Sequence, residues 1–420
     1  MIRQTLVALA LCSSCSPETS TADYRLEQGA WFNGQTFERK TAYVVDGKLL
    51  FSEKSIQSET IIDLAGAYVV PPFCEGHNHN LGASSESIED IVSRYLKDGV
   101  FYAAMPGSFK LYRDLSEEEL NRPNSIDVAF GNNGLTAPGG HPRGLREALM
   151  DRFGSYPEFT KDTMQDVGYF EAETFADVKS KFELIKAENP AFLKVMLYFS
   201  EEYDLRKDDP AFFGQRGIDP SLMPALVQLA HHHDLRVAVH VESDFDMLVA
   251  LKAGADIIMH LPSYDSTATV SEESIQWALS KDAAIVTTFS VANRYRFRDP
   301  ELFEAIIEAQ TNNLKRLEQA GINLVVGSDS FRDTSRGEAD YLAQLGAVTN
   351  LTLLRMWTEN CARMVFPGRK IGRLQNGYEA SFLALAGDPL DDFSVTGDIK
   401  LRFKDGQILE IETPVEDRGE

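Results

Sequence analysis

The chain has 420 residues, enough by length for about three domains and a large buried core. Hydrophobic residues make up 43% and charged residues 25%, which excludes a disordered or fibrous chain. Lys and Arg number 41 against 64 Asp and Glu, for a net charge of -23, so a basic footprint for phosphate backbones is excluded and no nucleic-acid partner is expected.

Residues 1–15, MIRQTLVALALCSSC, place Arg3 before a short apolar stretch, then small residues and a cysteine. The apolar run is too short to span a bilayer, so the segment reads as a signal peptide. It resembles a bacterial lipoprotein signal. That resemblance implies export to the periplasm, with Cys15 lipidated as the mature N-terminus and the lipid as the one membrane contact. Cys15, after Ser13 and Ser14, fits better than Cys12, which follows Leu11. Residues 16–23 are small and polar and suit a tether. Cys74 and Cys361 read as buried small apolar side chains, and a disulfide framework is not expected to be the basis of the fold.

From 24 to 69 short alternating runs are broken by turns, with a hairpin signal at Asp46-Gly47. The stretch 365–413 repeats the style, with a second Asp-Gly turn at Asp405-Gly406. Together they predict one discontinuous β-sandwich closed by both ends of the chain. The middle, 70–364, alternates apolar runs with amphipathic segments. Strands are expected at 67–73, 100–105, 126–131, 192–198, 236–240, 256–260, 284–288 and 323–327. Helix-like segments at 87–97, 176–187, 221–233, 244–252, 272–280 and 301–320 interleave with them. This alternation predicts an α/β fold with a (β/α)8 barrel. Long Pro- and Gly-rich loops blur the units between 106 and 190.

The eight histidines are the most informative residues. His77 and His79 stand at i and i+2 just past the first barrel strand, a spacing that turns both imidazoles to one face of an extended backbone. His240 ends the run RVAVH, His260 ends ADIIMH, and Asp329 ends NLVVGSD. C-terminal strand ends form the rim where barrel active sites assemble. Imidazoles and a carboxylate there suit Zn²⁺, and also Mn²⁺, Fe²⁺ or Co²⁺. Consecutive His231, His232 and His233 point about 100° apart on a helix and cannot converge on one ion.

Lys194 lies in the apolar run FLKVMLYF, where a buried ammonium is costly unless paired or neutral. One reading is a salt bridge to a neighbouring carboxylate. The other is a neutral amine that has reacted with CO₂, giving a carbamate that bridges two metals.

His77-x-His79 after strand 1, Lys194 on strand 4, His240 on strand 5, His260 on strand 6 and Asp329 on strand 8 together resemble the amidohydrolase superfamily. The tail GRKIGRLQNGYEASFLALAGDPLDDF and the loop GLTAPGGHP at 134–142 are similar to its imidazolonepropionase- and prolidase-like branch. Pro72, Glu75 and Ser381 depart from the usual Gly, Asp and Asp of that pattern. The resemblance implies one metal on His77, His79, Asp329 and the carbamate of Lys194, and a second on the same carbamate, His240 and His260. It implies attack of hydroxide, held between two metals, on the carbonyl of a small-molecule substrate, with Asp329 passing the proton to a leaving amine. His141 then reads as a substrate hydrogen-bond donor, Tyr198 as an oxyanion stabiliser and Arg332 as a clamp for a substrate carboxylate.

A lactonase, an esterase or a phosphotriesterase-like enzyme on the same centre is the competing reading, because leaving-group preference lies in loops that this pattern does not decode. A non-catalytic exported binding lipoprotein is the third, and the complete ligand set speaks against it. A homo-oligomer is compatible with all three.

Overall fold

Two adjacent prolines divide what the sequence presents as one strand. Pro71 and Pro72 offer no backbone N–H to continue a ladder, and the chain changes sheet between them and their neighbours. The expected strand at 67–73 is therefore two strands in different sheets. The computed structural model describes residues 21–81, 86–262 and 268–410. The expected signal peptide, Cys15, most of the tether and residues 411–413 lie outside them.

Before the break come β1 (Ala22–Phe32), β2 (Phe37–Val45), β3 (Lys48–Phe51), β4 (Ser58–Asp63) and β5 (Tyr68–Val70). After it come β6 (Phe73–Glu75), β7 (Val100–Met105), β8 (Asp127–Phe130), β9 (Leu135–Thr136) and β10 (Phe170–Glu171). They are followed by β11 (Leu193–Met196), β12 (Val237–His240), β13 (Ile257–Met259), β14 (Ala284–Val286) and β15 (Leu324–Val325). The chain ends its described part with β16 (Phe382–Leu385), β17 (Ile399–Lys404) and β18 (Gln407–Ile408). One sheet draws on both ends of the chain, in the order β18-β17-β16-β5-β1-β2-β3, with β4 beside β1. Asp46 and Gly47 both take positive φ between β2 and β3, as a two-residue hairpin turn requires.

All ladders among β6–β15 are parallel. They form two groups, β6-β7-β8 and β10-β9-β11-β12-β13-β14-β15. Parallel bridges link the groups at two places, Gly131 with Phe192 and Asn78 with Ser330. The strands are short and buried along their whole length in β11, β12, β13 and β14, which is why they read as unbroken apolar runs rather than alternating ones. Helices between them start on side-chain caps. Thr174 and Ser243 form capping boxes for Phe175–Ala187 and Asp244–Ala253, and Ser87 and Ser271 cap Ile88–Lys97 and Glu272–Lys281.

The approach of β6 to β15 is close enough to require glycine just past both strands. A Cβ on Gly76 would stand 2.8 Å from the Val326 carbonyl oxygen, and one on Gly327 would stand 2.8 Å from the His77 nitrogen. The seam is then tied by Gly76 N–H to Val326 O at 2.9 Å and by Asp329 N–H to His77 O at 2.7 Å.

Cys74 and Cys361 are both buried, but they are bonded to each other rather than free. The disulfide links β6 to the helix Cys361–Val365 across 287 residues, with the Cα atoms 5.7 Å apart. Phe73, next to Cys74, stacks on Trp357 with ring centroids 3.7 Å apart. The start of the seam is thus pinned on its outer side by a covalent bond and an aromatic stack.

Candidate active site

Eight of the residues singled out by the sequence line one cavity of about 610 Å³: His77, His79, His141, Lys194, Tyr198, His240, His260 and Asp329. Strand ends bring them there. His77 and His79 follow β6, Lys194 lies within β11, His240 closes β12, His260 follows β13 by one residue, and Asp329 follows β15.

The tightest group is His77, His79 and Asp329. The Nε2 atoms of the two histidines are 3.0 Å apart, and Asp329 Oδ1 is 3.4 Å from His77 Nε2 and 3.1 Å from His79 Nε2. One ligand atom from each of His77, His260 and Asp329 fits within a span of 4.8 Å. His260 packs against both neighbours, with ring centroids 4.6 Å from those of His77 and His240. His141 stacks on His240 at 4.8 Å, and Tyr198 lies 5.9 Å from the same ring.

Burial sets the charge state of this group. It pulls the imidazoles of His77, His141 and His260 well below their usual range and that of His240 to about 3, so these rings are neutral near pH 7. Lys194 is 2% exposed, and its Nζ has no hydrogen-bond partner among the described residues. Burial lowers its pKa to about 7, against an opposing pull from Asp329. The alternative reading of Lys194, a salt bridge to a neighbouring carboxylate, finds no partner among the described residues. Neutral imidazoles, a carboxylate and an amine that is readily neutral make a nitrogen and oxygen donor set.

The backbone is strained at and beside this cluster. His260, Thr288 and Asp329 have φ of 103°, 52° and 50°, a region that costs non-glycine residues on the order of 1–3 kcal/mol each. Thr288 Oγ1 holds His260 Nδ1 at 2.9 Å, and Asp329 is fixed by its hydrogen bond across the seam.

Arg332 does not join the site. It is exposed on the turn after Asp329, where its N–H bonds Ser330 Oγ at 3.1 Å, and it does not line the cavity. The turn carries the side chain away from the strand end, so three residues of spacing gave no information about direction. Cys15 lies outside the described residues. Other groups in or beneath the cavity stand outside the ligand pattern read from the sequence. Glu242 bonds His240 Nε2 at 3.1 Å, and burial raises its pKa to about 7. Its signal was available, since it stands two residues past His240 on the same face of an extended chain. Glu75 is fully buried beneath His77, and burial raises its pKa to about 8. It accepts hydrogen bonds from His77 N, Ser328 N, Ser328 Oγ and Asn78 Nδ2. Arg146, Arg294, Tyr295 and Phe331 also line the cavity and carried no pattern.

Residues 155–409, more than half of the chain, match the amidohydrolase family. That stretch holds Lys194, His240, His260 and Asp329, while His77 and His79 precede it. The chain is 26% identical over 203 residues to an ochratoxinase of Aspergillus niger, a match covering 46% of this chain and 40% of that protein. The matched stretch thus spans less than half the length of that relative. A solved Xaa-Pro dipeptidase superposes with a TM-score of 0.71 at 17% identity, over 92% of this chain and 99% of that one. The solved A. niger ochratoxinase gives 0.70 at 18% identity over 92% and 96%. A molinate hydrolase gives 0.70 at 14% identity over 93% and 95%. At such identities the structural likeness shows a shared fold.

Proposed function

The chain belongs to the amidohydrolase family, and on that premise we propose that it is a metal-dependent hydrolase cleaving the C–N bond of an amide or peptide-like small molecule. The observation that carries the reading is Lys194, an amine buried without a partner in a cavity that also holds four neutral histidines and Asp329. The similar proteins named as a dipeptidase and as hydrolases agree with the reaction class. We read β6, β7, β8 and β11–β15 as a closed (β/α)8 barrel, and the sheet made from both chain ends as the β-sandwich domain. The two bridges that link the parallel ladders support the first reading.

The residues present fit divalent cations. His77 Nδ1 and Lys194 Nζ are buried with open hydrogen-bonding capacity, and the donor set suits Zn²⁺, with Mn²⁺, Fe²⁺ or Co²⁺ as alternatives. His77, His79 and Asp329 would hold one ion and His240 and His260 a second, with Lys194 shared between them as a carbamate. When bound, such ions lower the pKa of water and polarise a carbonyl. The chain's own groups account for the rest. Asp329 takes the proton of the attacking water and returns it to the leaving nitrogen. His141 and Tyr198 stand beside His240 and orient the substrate carbonyl. Glu242 and Thr288 fix the ring orientations of His240 and His260. Phe331, stacked on His79 at 5.2 Å, shields that side from water.

Metal analysis of the purified protein, run with an activity screen over dipeptides, N-acyl amino acids, cyclic amides and lactones, tests the reading. Metal in stoichiometric amount and turnover of amides are expected. Full activity after exhaustive chelation would overturn it, and turnover confined to lactones would move the function to the esterase alternative.

We also infer export as a lipoprotein. The lipoprotein-like segment at 1–15 supports it, and so does the Cys74–Cys361 disulfide, since such bonds persist in oxidising compartments. Labelled palmitate should enter the wild-type protein and not Cys15→Ser. Equal labelling of the two would refute lipidation at Cys15.

A further inference from the structure

Among the described residues, no carboxylate pairs with one of the cations on the cavity wall. Arg146, on the helix Arg143–Phe153, is 7% exposed and lines the cavity. Its Nη2 donates to Gly107 O at 2.8 Å and to Asn133 Oδ1, both neutral acceptors. Its Nε is buried with no partner. The polar groups that favour its charge are the phenols of Tyr156 and Tyr112, and no carboxylate of a described residue forms an ion pair with it.

Other guanidiniums of this chain are treated differently. Arg143, on the same helix, pairs with Glu147 at 2.9 Å and Glu171 at 3.1 Å. Arg113 and Arg206, with side chains as well covered, pair with Glu188 at 2.8 Å and Glu202 at 2.7 Å. A guanidinium stays charged at any physiological pH, so burying one without an anion is costly. The Phe109 and Tyr156 rings, 4.4 and 5.3 Å from the Arg146 carbon, offset part of that cost, but neither carries the full negative charge that a carboxylate partner would supply.

The location adds the second half of the argument. Gly107 borders both Arg146 and the histidine cluster. A Cβ on it would stand 3.5 Å from His79 Cε1 and 3.6 Å from Arg146 Nη2. The unpaired cation is thus within one small molecule's reach of the reacting centre. The wall around it is apolar, with Phe109, Leu145, Leu149 and Tyr156.

We propose that Arg146 binds a carboxylate of the substrate, and that the substrate is an N-acyl derivative of an apolar α-amino acid, short peptides ending in such a residue included. The carboxylate pairs with the guanidinium, the apolar side chain lies along the leucines and aromatic rings, and the acyl C–N bond reaches towards His79 and Asp329. The position of the scissile bond rests on the hydrolase reading above, whereas recognition of the anion does not.

Calorimetric titration of the metal-loaded protein with N-acetyl-L-leucine and with N-acetyl-L-leucinamide tests the subsite, with acetate release measured in parallel. Wild type should bind the acid more tightly than the amide by on the order of 10–100-fold. Arg146→Met should erase that difference. Arg146→Lys, which keeps the charge but loses the fork, should retain part of it and covers the case in which the methionine variant does not fold. Acid and amide binding alike to wild type, no binding of the acid at millimolar concentration, or an undiminished preference in Arg146→Met would each overturn the subsite. Acid binding that depends on Arg146 without any acetate release would leave the subsite standing and count against the hydrolase reading instead.

Discussion

Along the seam between β6 and β15, main-chain hydrogen bonds place His77, His79 and Asp329, and the fully buried Glu75 ties His77 to Ser328 from beneath. Along β11–β13, the strand ladders set only the backbone. His240 and His260 are aimed by single side-chain bonds to Glu242 and Thr288, and Lys194 Nζ is aimed by none. The seam side is therefore organised by main-chain hydrogen bonds, while the other side is organised by single side-chain bonds to its imidazoles. Removing a group should expose this difference. On the proposed reading, loss of Asp329 should act mainly through proton transfer, and loss of Lys194 through metal occupancy.

The largest effect is expected for Lys194→Ala. It should lower bound metal and activity together, to near the level of the chelated protein, and a short acid such as acetate should restore part of both. A Lys194→Ala protein that keeps full activity and its full metal content would remove the occupancy argument for that side.

Asp329→Asn should come next and should behave in the opposite sense. It keeps one oxygen and the seam hydrogen bond but loses the base, so a fall in kcat on the order of 10²–10⁴ is expected with most metal retained. Amines leave poorly without a proton and activated esters leave well, so an amide substrate should suffer more than a nitrophenyl ester. Equal losses on the two would deny Asp329 the role of proton donor.

This contrast also marks what the sequence could disclose. Residues at strand ends were legible, because an apolar run that stops at His240, His260 or Asp329 states both the strand and the direction of its last side chain. Lys194 was legible for a related reason, as a charge inside an otherwise apolar run. A single strand at 67–73 is the natural expectation because apolar character continues across Pro71 and Pro72, and only the missing N–H donors mark the change of sheet. The Cys74–Cys361 bond spans 287 residues and leaves no local trace. Arg332 and Arg146 show the limit from both sides. The first stands near Asp329 in sequence and points away, and the second lies on a helix whose pattern says nothing about the cavity it lines.

A smaller effect is expected for Glu75→Gln. The Glu75 carboxyl group accepts from two backbone N–H groups on one oxygen and from Asn78 and Ser328 side chains on the other. An amide would set an NH₂ against donors at one of these positions. If His77 holds a metal as proposed, Glu75 is an outer partner of a ligand, a role that typically carries 10–100-fold in affinity or activity, and a loss in that range is expected together with a lowered Tm. Glu242→Gln, beside His240, keeps an acceptor for the imidazole and should cost less. If Glu242→Gln is the more damaging of the two, the seam is not the better organised side.

The last difference concerns pH and isolates Lys194. Carbamate formation needs the free amine, and burial holds the Lys194 pKa near 7 where an exposed lysine has about 10.4. Below pH 7 the amine is protonated, and the rate at which bicarbonate restores activity to protein stripped of metal and CO₂ should fall by about tenfold per pH unit. Above pH 7 the amine is already neutral, and the rate at fixed dissolved CO₂ should level off. A lysine with an ordinary pKa would instead keep gaining between pH 7 and pH 9. Reactivation measured across pH 5.5–9 at constant dissolved CO₂ therefore separates a buried, unpaired Lys194 from one that finds a carboxylate partner, because such a partner would raise the pKa and carry the rise beyond pH 8.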